Sequence, residues 1–495
     1  MTFGYLLIAA ILFSCILADR FSGKFGMPAL ILFMAVGMIF GCDGLFKIQF
    51  DNYGVAEKVC AAALVFIMFY GGFNTKWQSA KCVAVRATIL STLGVLVTAG
   101  LTGVFCYFVL HFSYVESFLI GAVLSSTDAA SVFSILRGKH LNLRDGTASL
   151  LEIESGSNDP MSYLLTMIGI SLLGNADTGN IPLMIFMQLA LGILVGVVVA
   201  LIGIVLLTKT NFIPEGLETI FVIAIVIFSF GLAELIGGNS YLSVYLLGIL
   251  LGNSRIRNKN ILIPFFDGVT GLAQILIFFL LGLLAFPHRM PDIMVPALLI
   301  ALFLTFVARP IAVFGILLPF RCSIQQCLLV SWAGLRGAAS IVFAIMVIAG
   351  GGDISLDLFH IVFMVALLSV AFQGTLIPKV AEKLDMVDNS ADVSKTFNDY
   401  QEESAMTLMR MYIPKGHNWE NHKICEVSIP TGALALMIKR DGDTMIPNGD
   451  TRILAEDSVI LSVPAYESKE DEHLEEVLIE KNNPWCEQRI RELNL

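Results

Sequence analysis

The sequence predicts an all-α polytopic membrane protein with a small α/β cytoplasmic domain at its C-terminal end. Three observations predict it. Of 495 residues, 56% are hydrophobic and only 15% charged, with a mean hydropathy of +0.79; soluble domains carry roughly 25% charged residues. Long apolar runs recur over residues 1–384. The net charge of −10 belongs to the C-terminal tail: from Asp385 onward 22 Asp/Glu face 11 Lys/Arg, whereas the preceding part is nearly balanced. An acidic tail argues against nucleic acid as a partner and leaves the lipid bilayer as the main one.

The apolar runs number thirteen, at about 2–18, 27–46, 57–72, 85–111, 117–136, 147–173, 181–207, 215–237, 239–252, 264–286, 292–318, 324–350 and 355–380. A bilayer core of ~30 Å takes about 20 helical residues. The first run lacks a basic leader and a small-x-small cleavage site, so it is read as a retained helix. Lys and Arg fix the orientation. Alternate connections, starting with Arg20 and Lys24, hold thirteen of them; the other set holds Lys47, Lys58 and Arg289 alone. The positive-inside rule then puts the N-terminus outside a cell inner (plasma) membrane and the tail in the cytoplasm. The nine cysteines show no CxxC and no metal spacing, and are read as small buried apolar residues.

Two runs are interrupted alike. The fifth contains Ser125-Ser126-Thr127-Asp128, and the twelfth Gly334-Leu335-Arg336-Gly337. Seven segments apart, they run in opposite directions. Paired broken helices in inverted halves point to a transporter binding site. Close packing of small residues explains the glycines and alanines, but not Asp128 and Arg336.

The sixth run holds Glu152, Glu154 and Asp159 in the stretch Leu151–Pro160. A carboxylate at mid-membrane costs ~2.5–3.5 kcal/mol and marks an ion or proton path by default. On a helix Ser155 and Asp159 share a face, while Glu154 and Asn158 form the neighbouring stripe. Pro160 removes the helical partner of the Gly156 carbonyl. A hard monovalent cation wants several oxygens, and Asp159, Ser155 and freed carbonyls near Thr127 supply them. A proton competes for the same carboxylate, which gives antiport. One aspartate per cycle predicts one cation for one proton. Arg336 needs an anionic partner, and Glu154 is the expected one, as a structural pair. Arg309, beside Pro310, is a further intramembrane charge. Asp128 is either its partner or a cap on the broken helix ends. Glu152 shares the Asp159 stripe two turns nearer the cytoplasmic end and takes no assigned role. Glu234 and His360 are read as interfacial.

Beyond the membrane part, residues 385–410 are expected to form a linker with a helical part, 411–466 a regulatory domain, and 467–495 an acidic helical segment. Glu426-Val427-Ser428-Ile429-Pro430, Ala433–Ile438 and Ser458–Val463 read as strands, with a turn at Arg440-Asp441-Gly442-Asp443.

Taken together, Ser126-Thr127-Asp128, Glu154-Ser155 with Asn158-Asp159, and Gly334-Leu335-Arg336-Gly337-Ala338 resemble the NhaP-like monovalent cation/proton antiporters. The resemblance spans the membrane part. It implies thirteen helices with an inverted-repeat core, a homodimer and elevator-like movement. It also implies Asp159 as the carboxylate shared by cation and proton, with Ser155 and the Thr127 backbone as cation ligands. Asn158 would fix the neighbouring geometry, and Glu154 would pair with Arg336. An Asn-Asp pair in place of Asp-Asp fits electroneutral exchange. One departure stands out: many relatives carry an acid just before Gly71-Gly72, and here Tyr70 stands there. The tail resembles the TrkA-C regulatory domain, through Lys439–Gly442, Ile446–Thr451 and Glu456-Asp457. No dinucleotide-binding unit precedes it, and a small ligand or a dimer contact is its expected business.

The expected function is exchange of K+ for H+, the tail favouring K+ over Na+, with no cofactor. The rivals are an Na+/H+ antiporter of the same mechanism and, from another class, a regulated cation channel. A channel needs a repeated filter loop, which is missing. No Ser/Lys, Ser/His or HExxH arrangement lies at membrane depth, so an enzyme is not expected.

Overall fold

The computed structural model describes residues 2–25, 28–138, 141–173, 181–209, 213–214, 216–256, 258–350, 356–388, 406–427, 429, 433–440 and 443–464. They fall into two compact units, Met1–Asn398 and Asp399–Leu495.

The first unit is helical throughout its described regular structure. Besides the single turn Trp77–Ala80, its helices are α1 (Thr2–Phe25), α2 (Ala29–Phe40), α3 (Tyr53–Asn74), α4 (Ala84–Phe108), α5 (Tyr114–Leu124), α6 (Ala129–Gly138), α7 (Thr147–Leu173), α8 (Ile181–Thr208), α9 (Glu218–Leu235), α10 (Ser240–Gly252), α11 (Lys259–Leu284), α12 (Pro287–Phe320), α13 (Ile324–Trp332), α14 (Ala338–Ala349) and α15 (Leu358–Lys383). Among the described residues, α3, α4, α8, α9, α11, α12 and α15 are long and apolar enough to cross a membrane. Four more, α2, α5, α10 and α14, are apolar but shorter.

Two packing groups emerge. One joins α1–α3 with α8–α11, and the other joins α4–α7 with α12–α15; they meet chiefly where α14 lies on α3, and also where α7 packs against α10. Small residues set the spacing in the first group. A Cβ on Gly72 of α3 or on Gly248 of α10 would run into the backbone of the facing helix, so these helices approach as closely as backbones can. In the second group α4, α12 and α15 each contain a π-helical stretch, at Leu90–Gly94, Leu304–Ala308 and Ser369–Gly374. Such wide turns recur at functional sites.

α7 runs unbroken through Pro160. The expected loosening does not become a break. The Pro160 carbonyl itself accepts from Asn239 Nδ2 at 2.8 Å.

The end of this unit corrects an expected boundary. Residues 385–388 are not linker. Val387 bridges to Leu143, Arg144 N–H donates to the Met386 carbonyl at 3.0 Å, and Asp388 N–H donates to the Asn142 carbonyl at 2.9 Å. The connection between α6 and α7 thus holds the last membrane residues.

The second unit is a four-stranded antiparallel sheet of order β1-β4-β2-β3: β1 (Met406–Tyr412), β2 (Leu434–Arg440), β3 (Asp443–Met445) and β4 (Ser458–Pro464). Its core is Ile413, Ile438, Ile453, Val459 and Leu461. β2 and β4 match expected strands. β1 begins inside the stretch expected to be linker, because Met406-Thr407-Leu408-Met409-Arg410-Met411 gives no clean alternation. The expected strand from Glu426 starts instead as a 3-10 turn, Ile424–Glu426, where Glu426 accepts from the Lys423 N–H at 3.0 Å. The expected helical parts within 389–405 and 467–495, and the turn residues Asp441 and Gly442, lie outside the described residues.

Candidate ion-binding site

The site forms where two interrupted helices cross beside α7. Between α5 and α6 the chain leaves the helix at Ser125–Asp128, and between α13 and α14 at Ala333–Gly337. Hydroxyl side chains compete with the backbone ladder in the first break; Ser125 Oγ, for example, donates to the Ala122 carbonyl at 2.6 Å. Glycines permit the second.

Every interruption frees backbone groups, and away from water each needs a partner. The two breaks supply one another. Asp128 N–H donates to the Leu335 carbonyl at 2.9 Å. Arg336 Nη1 donates to the Ser126 carbonyl at 2.8 Å. Arg336 N–H donates to Ser369 Oγ at 3.2 Å, on the π-helical stretch of α15. The Thr127 carbonyl accepts from Ser155 Oγ at 2.7 Å. Gly337 is required by proximity: a Cβ there would enter the Asp128 side chain.

α7 contributes the carboxylates. Glu154 and Asp159 are both buried, yet their surroundings differ. Glu154 receives Arg309 Nη1 and Nη2, each at 2.9 Å, in a bidentate pair. Asn158 Nδ2 adds a bond to Glu154 Oε1 at 3.1 Å and another to Thr127 Oγ1. Asp159 accepts from the Ser126 hydroxyl and has no basic partner among the described residues.

This arrangement corrects the expected pairing of Glu154 with Arg336. Arg309 takes that place. The physical reason is geometric: the planar guanidinium of Arg309, arriving from α12, matches a carboxylate fork. Arg336 is spent on the carbonyl that the first break leaves open. Of the two alternatives for Asp128, the cap is realised. Asp128 Oδ1 accepts from Ser131 N–H at 3.2 Å, and Oδ2 accepts from the Ser131 hydroxyl.

The expected residues Thr127, Asp128, Ser155, Asn158 and Asp159 therefore come together, with Glu154, Arg309 and Arg336 around them. A cavity of about 30 Å³ lies against Asp159, Thr127 and Asp128, closed by Leu64 and Ile67 of α3, Gln274 and Phe278 of α11, and Ala338 and Ala339 of α14. That volume suits one water or one small ion. Asn158 Oδ1 is buried with no hydrogen bond among the described residues. Its amide orientation is fixed, because Nδ2 already serves two acceptors. A carboxylate, a carbonyl and an amide oxygen are donors for a hard cation.

Two contributors escaped the sequence reading. Ser126 lies within the motif that drew attention to Thr127 and Asp128, so a signal existed. Gln274 had none beyond being a lone amide in an apolar run.

Residues 8–383 match the family described as sodium/hydrogen exchanger, transmembrane, and residues 408–465 match the TrkA-C domain. The K(+)/H(+) antiporter NhaP2 of Shewanella baltica is 32% identical over 461 residues, which is 92% of this chain and 80% of that protein. The K(+)/H(+) antiporter NhaP of Alkalimonas amylolytica is 33% identical over 467 residues, with the same coverage. The Na(+)/H(+) antiporter 1 of Methanocaldococcus jannaschii is 28% identical over 361 residues, covering 70% of this chain and 83% of that one. Among solved structures, the sodium proton antiporter MjNhaP1 from the same archaeon, at pH 8, superposes with a TM-score of 0.68 at 23% identity, over 77% of this chain and 99% of that one. At that identity the likeness shows the fold alone. The family match and the antiporter relatives together decide the matter: the chain belongs to the sodium/hydrogen exchanger family of cation/proton antiporters and is a membrane transporter, not an enzyme.

Proposed function

We propose that the protein exchanges K+ for H+ across the cell inner membrane, one for one, with both ions competing for the Asp159 carboxylate. The observation that carries this is the contrast inside α7. Glu154 is neutralised by Arg309, whereas Asp159, equally buried, has no cationic partner among the described residues and borders a cavity of single-ion size. A buried carboxylate of that kind is neutral only when it holds a proton or a cation. Loaded by either, it crosses; empty and charged, it does not. Thr127, Ser155 and Asn158 complete the cation's oxygen shell.

K+ is favoured because the relatives matched over most of the chain are named K(+)/H(+) antiporters and because the TrkA-C domain follows the membrane part. An Na+/H+ exchanger of the same mechanism is the second reading, favoured by the archaeal relative's name. The thirteen-to-three division of Lys and Arg supports thirteen crossings with the N-terminus outside and the tail cytoplasmic. The paired breaks support an inverted repeat, and the working unit is a homodimer. The discriminating experiment is proton flux in proteoliposomes, titrated against K+, Na+ and Li+ in turn. K+ is expected to drive proton release at the lowest concentration, and an imposed membrane potential to leave the rate unchanged. Failure of all three cations to move protons would sink the reading.

A further inference from the structure

α11 carries a single charge between Asn260 and Leu284, and it is Asp267. A carboxylate in the body of such a helix is costly unless it faces protein or a wet cavity. Its position on the helix is telling. At 100° per residue, Asp267, Gln274 and Phe278 fall within about 40° of one another. The exposed apolar face of α11 is elsewhere: Ile261, Phe265, Leu272 and Leu276 lie well over 100° away. Asp267 therefore sits on the same stripe as the two α11 residues that close the cavity at Asp159. Two turns, about 10 Å, separate it from Gln274.

Asp267 is exposed, and the partner it meets is polar but not basic. The Tyr70 hydroxyl of α3 donates to Asp267 Oδ1 at 3.0 Å, and no salt bridge to Asp267 exists among the described residues. Between Asp267 and Gln274, the Thr270 hydroxyl is buried with no hydrogen-bond partner among the described residues. Tyr70 and Asp267 lie near the C-terminal end of α3 and the N-terminal end of α11, the end that the Lys/Arg distribution puts in the cytoplasm.

We infer that Asp267, with Tyr70, Thr270 and Gln274, is an entrance site at which the monovalent cation is held before it reaches the cavity at Asp159. The inference rests on the exchange reading and adds a second carboxylate position to it. A negative charge at the mouth of a narrow path raises the local cation concentration. The Tyr70 hydroxyl orients that charge without neutralising it. Thr270 and Gln274 offer oxygens in steps a partly dehydrated cation can follow.

The test is side-specific. In everted vesicles, which turn the cytoplasmic face outward, Asp267→Asn is expected to raise the half-saturating cation concentration about fivefold, with the maximal rate within about twofold of wild type. In right-side-out vesicles the half-saturating concentration on the other face stays at its wild-type value. Asp267→Glu restores the wild-type figure. Raising ionic strength with choline, which is not transported, weakens wild-type affinity and leaves Asp267→Asn nearly unmoved. Wild-type half-saturation in Asp267→Asn overturns the proposal. So does an equal rise on both faces, which marks a packing role, or a lost maximal rate at unchanged half-saturation. If Asp267→Asn does not accumulate, Thr270→Val carries the same comparison with the same expected direction, and wild-type half-saturation there overturns it. Failure of the underlying reading looks different: Asp159→Asn would then retain exchange, whatever Asp267 does.

Discussion

Arg309 of α12 and Glu154 of α7 meet through two parallel contacts of 2.9 Å, with side chains 3% and 1% exposed. Removing one partner of such a pair strands a buried charge and costs about 3–5 kcal/mol, whereas replacing both by apolar groups is often neutral. Glu154→Met alone and Arg309→Met alone are therefore expected to lower the unfolding temperature of the detergent-solubilised protein sharply. The double substitution should recover much of the loss. Additive losses in the double variant would contradict the pairing.

Asp159→Asn keeps the shape and removes the charge. Cation-driven proton release in everted vesicles is expected to vanish, while the protein accumulates and stays monodisperse in detergent. Wild-type flux in this variant would remove Asp159 from the transport cycle.

At the crossing, Gly337 admits the Asp128 side chain. Gly337→Ala is expected to cost about 1–3 kcal/mol through overpacking and to slow exchange, because Asp128 can no longer cap α6 in place. Measuring flux per inserted molecule checks this, and undiminished flux would show that the crossing tolerates a wider gap.

The tail unit holds an ion pair of its own, with Asp457 buried and Arg440 partly exposed. Asp457 receives Arg440 Nε and Nη2, each at 2.8 Å, and the Leu454 N–H at 2.8 Å. Burial pushes the Asp457 carboxyl up, but the Arg440 contacts and the Leu454 N–H outweigh it and hold the group below its ordinary range. A depressed carboxyl contributes its stability in full above its unfolded value, near pH 4, and loses it as pH falls through the folded value. Hydrogen exchange of β2 and β4 amides should thus be flat from pH 5 to 8, after correction for intrinsic rates, and accelerate below about pH 4. Asp457→Asn should show fast exchange at neutral pH and little further change on acidification.

Truncation separates membrane unit from tail. Stopping after Asp388 keeps the contacts of Val387 with Leu143 and of Asp388 with Asn142; basal exchange is expected to persist with altered regulation. Stopping after Leu384 removes these, together with the 3.1 Å Arg144–Asp385 pair, and should lower thermal stability as well. Equal stability of the two truncations would argue against an anchoring role for 385–388.

Much of this was legible in the chain itself. Long apolar runs announce helices because lipid offers the backbone no other partner. Ser125–Asp128 and Gly334–Gly337 announce breaks because hydroxyls and glycines weaken the ladder where charges also appear. Ser155, Asn158 and Asp159 can be named from spacing on one helix, and Thr127 and Asp128 from the break itself, both local properties. What escapes such reading is long-range. Nothing in the sequence says whether Arg309 or Arg336 reaches Glu154, since both are lone charges in apolar runs and the choice is made by how α12 and α13 pack. Pro160 illustrates the converse: a local rule predicts loosening, and packing carries the helix through. β1 is hidden because Met-rich alternation is a weak signal until β4 is there to pair with it.

The mutual bonding of the two breaks also limits how the site can move. Asp128 N–H to the Leu335 carbonyl, Arg336 to the Ser126 carbonyl and Arg336 N–H to Ser369 tie α5, α6, α13, α14 and α15 at one point. Prising one half-helix away alone would leave backbone groups bare in a low-dielectric interior, at several kcal/mol apiece. The knot consequently behaves as one stiff part with no internal joint. On the exchange proposed above, an ion held there is expected to be carried with its whole cradle, which would put any play in the transport cycle at the cradle's borders, such as the seam between α14 and α3.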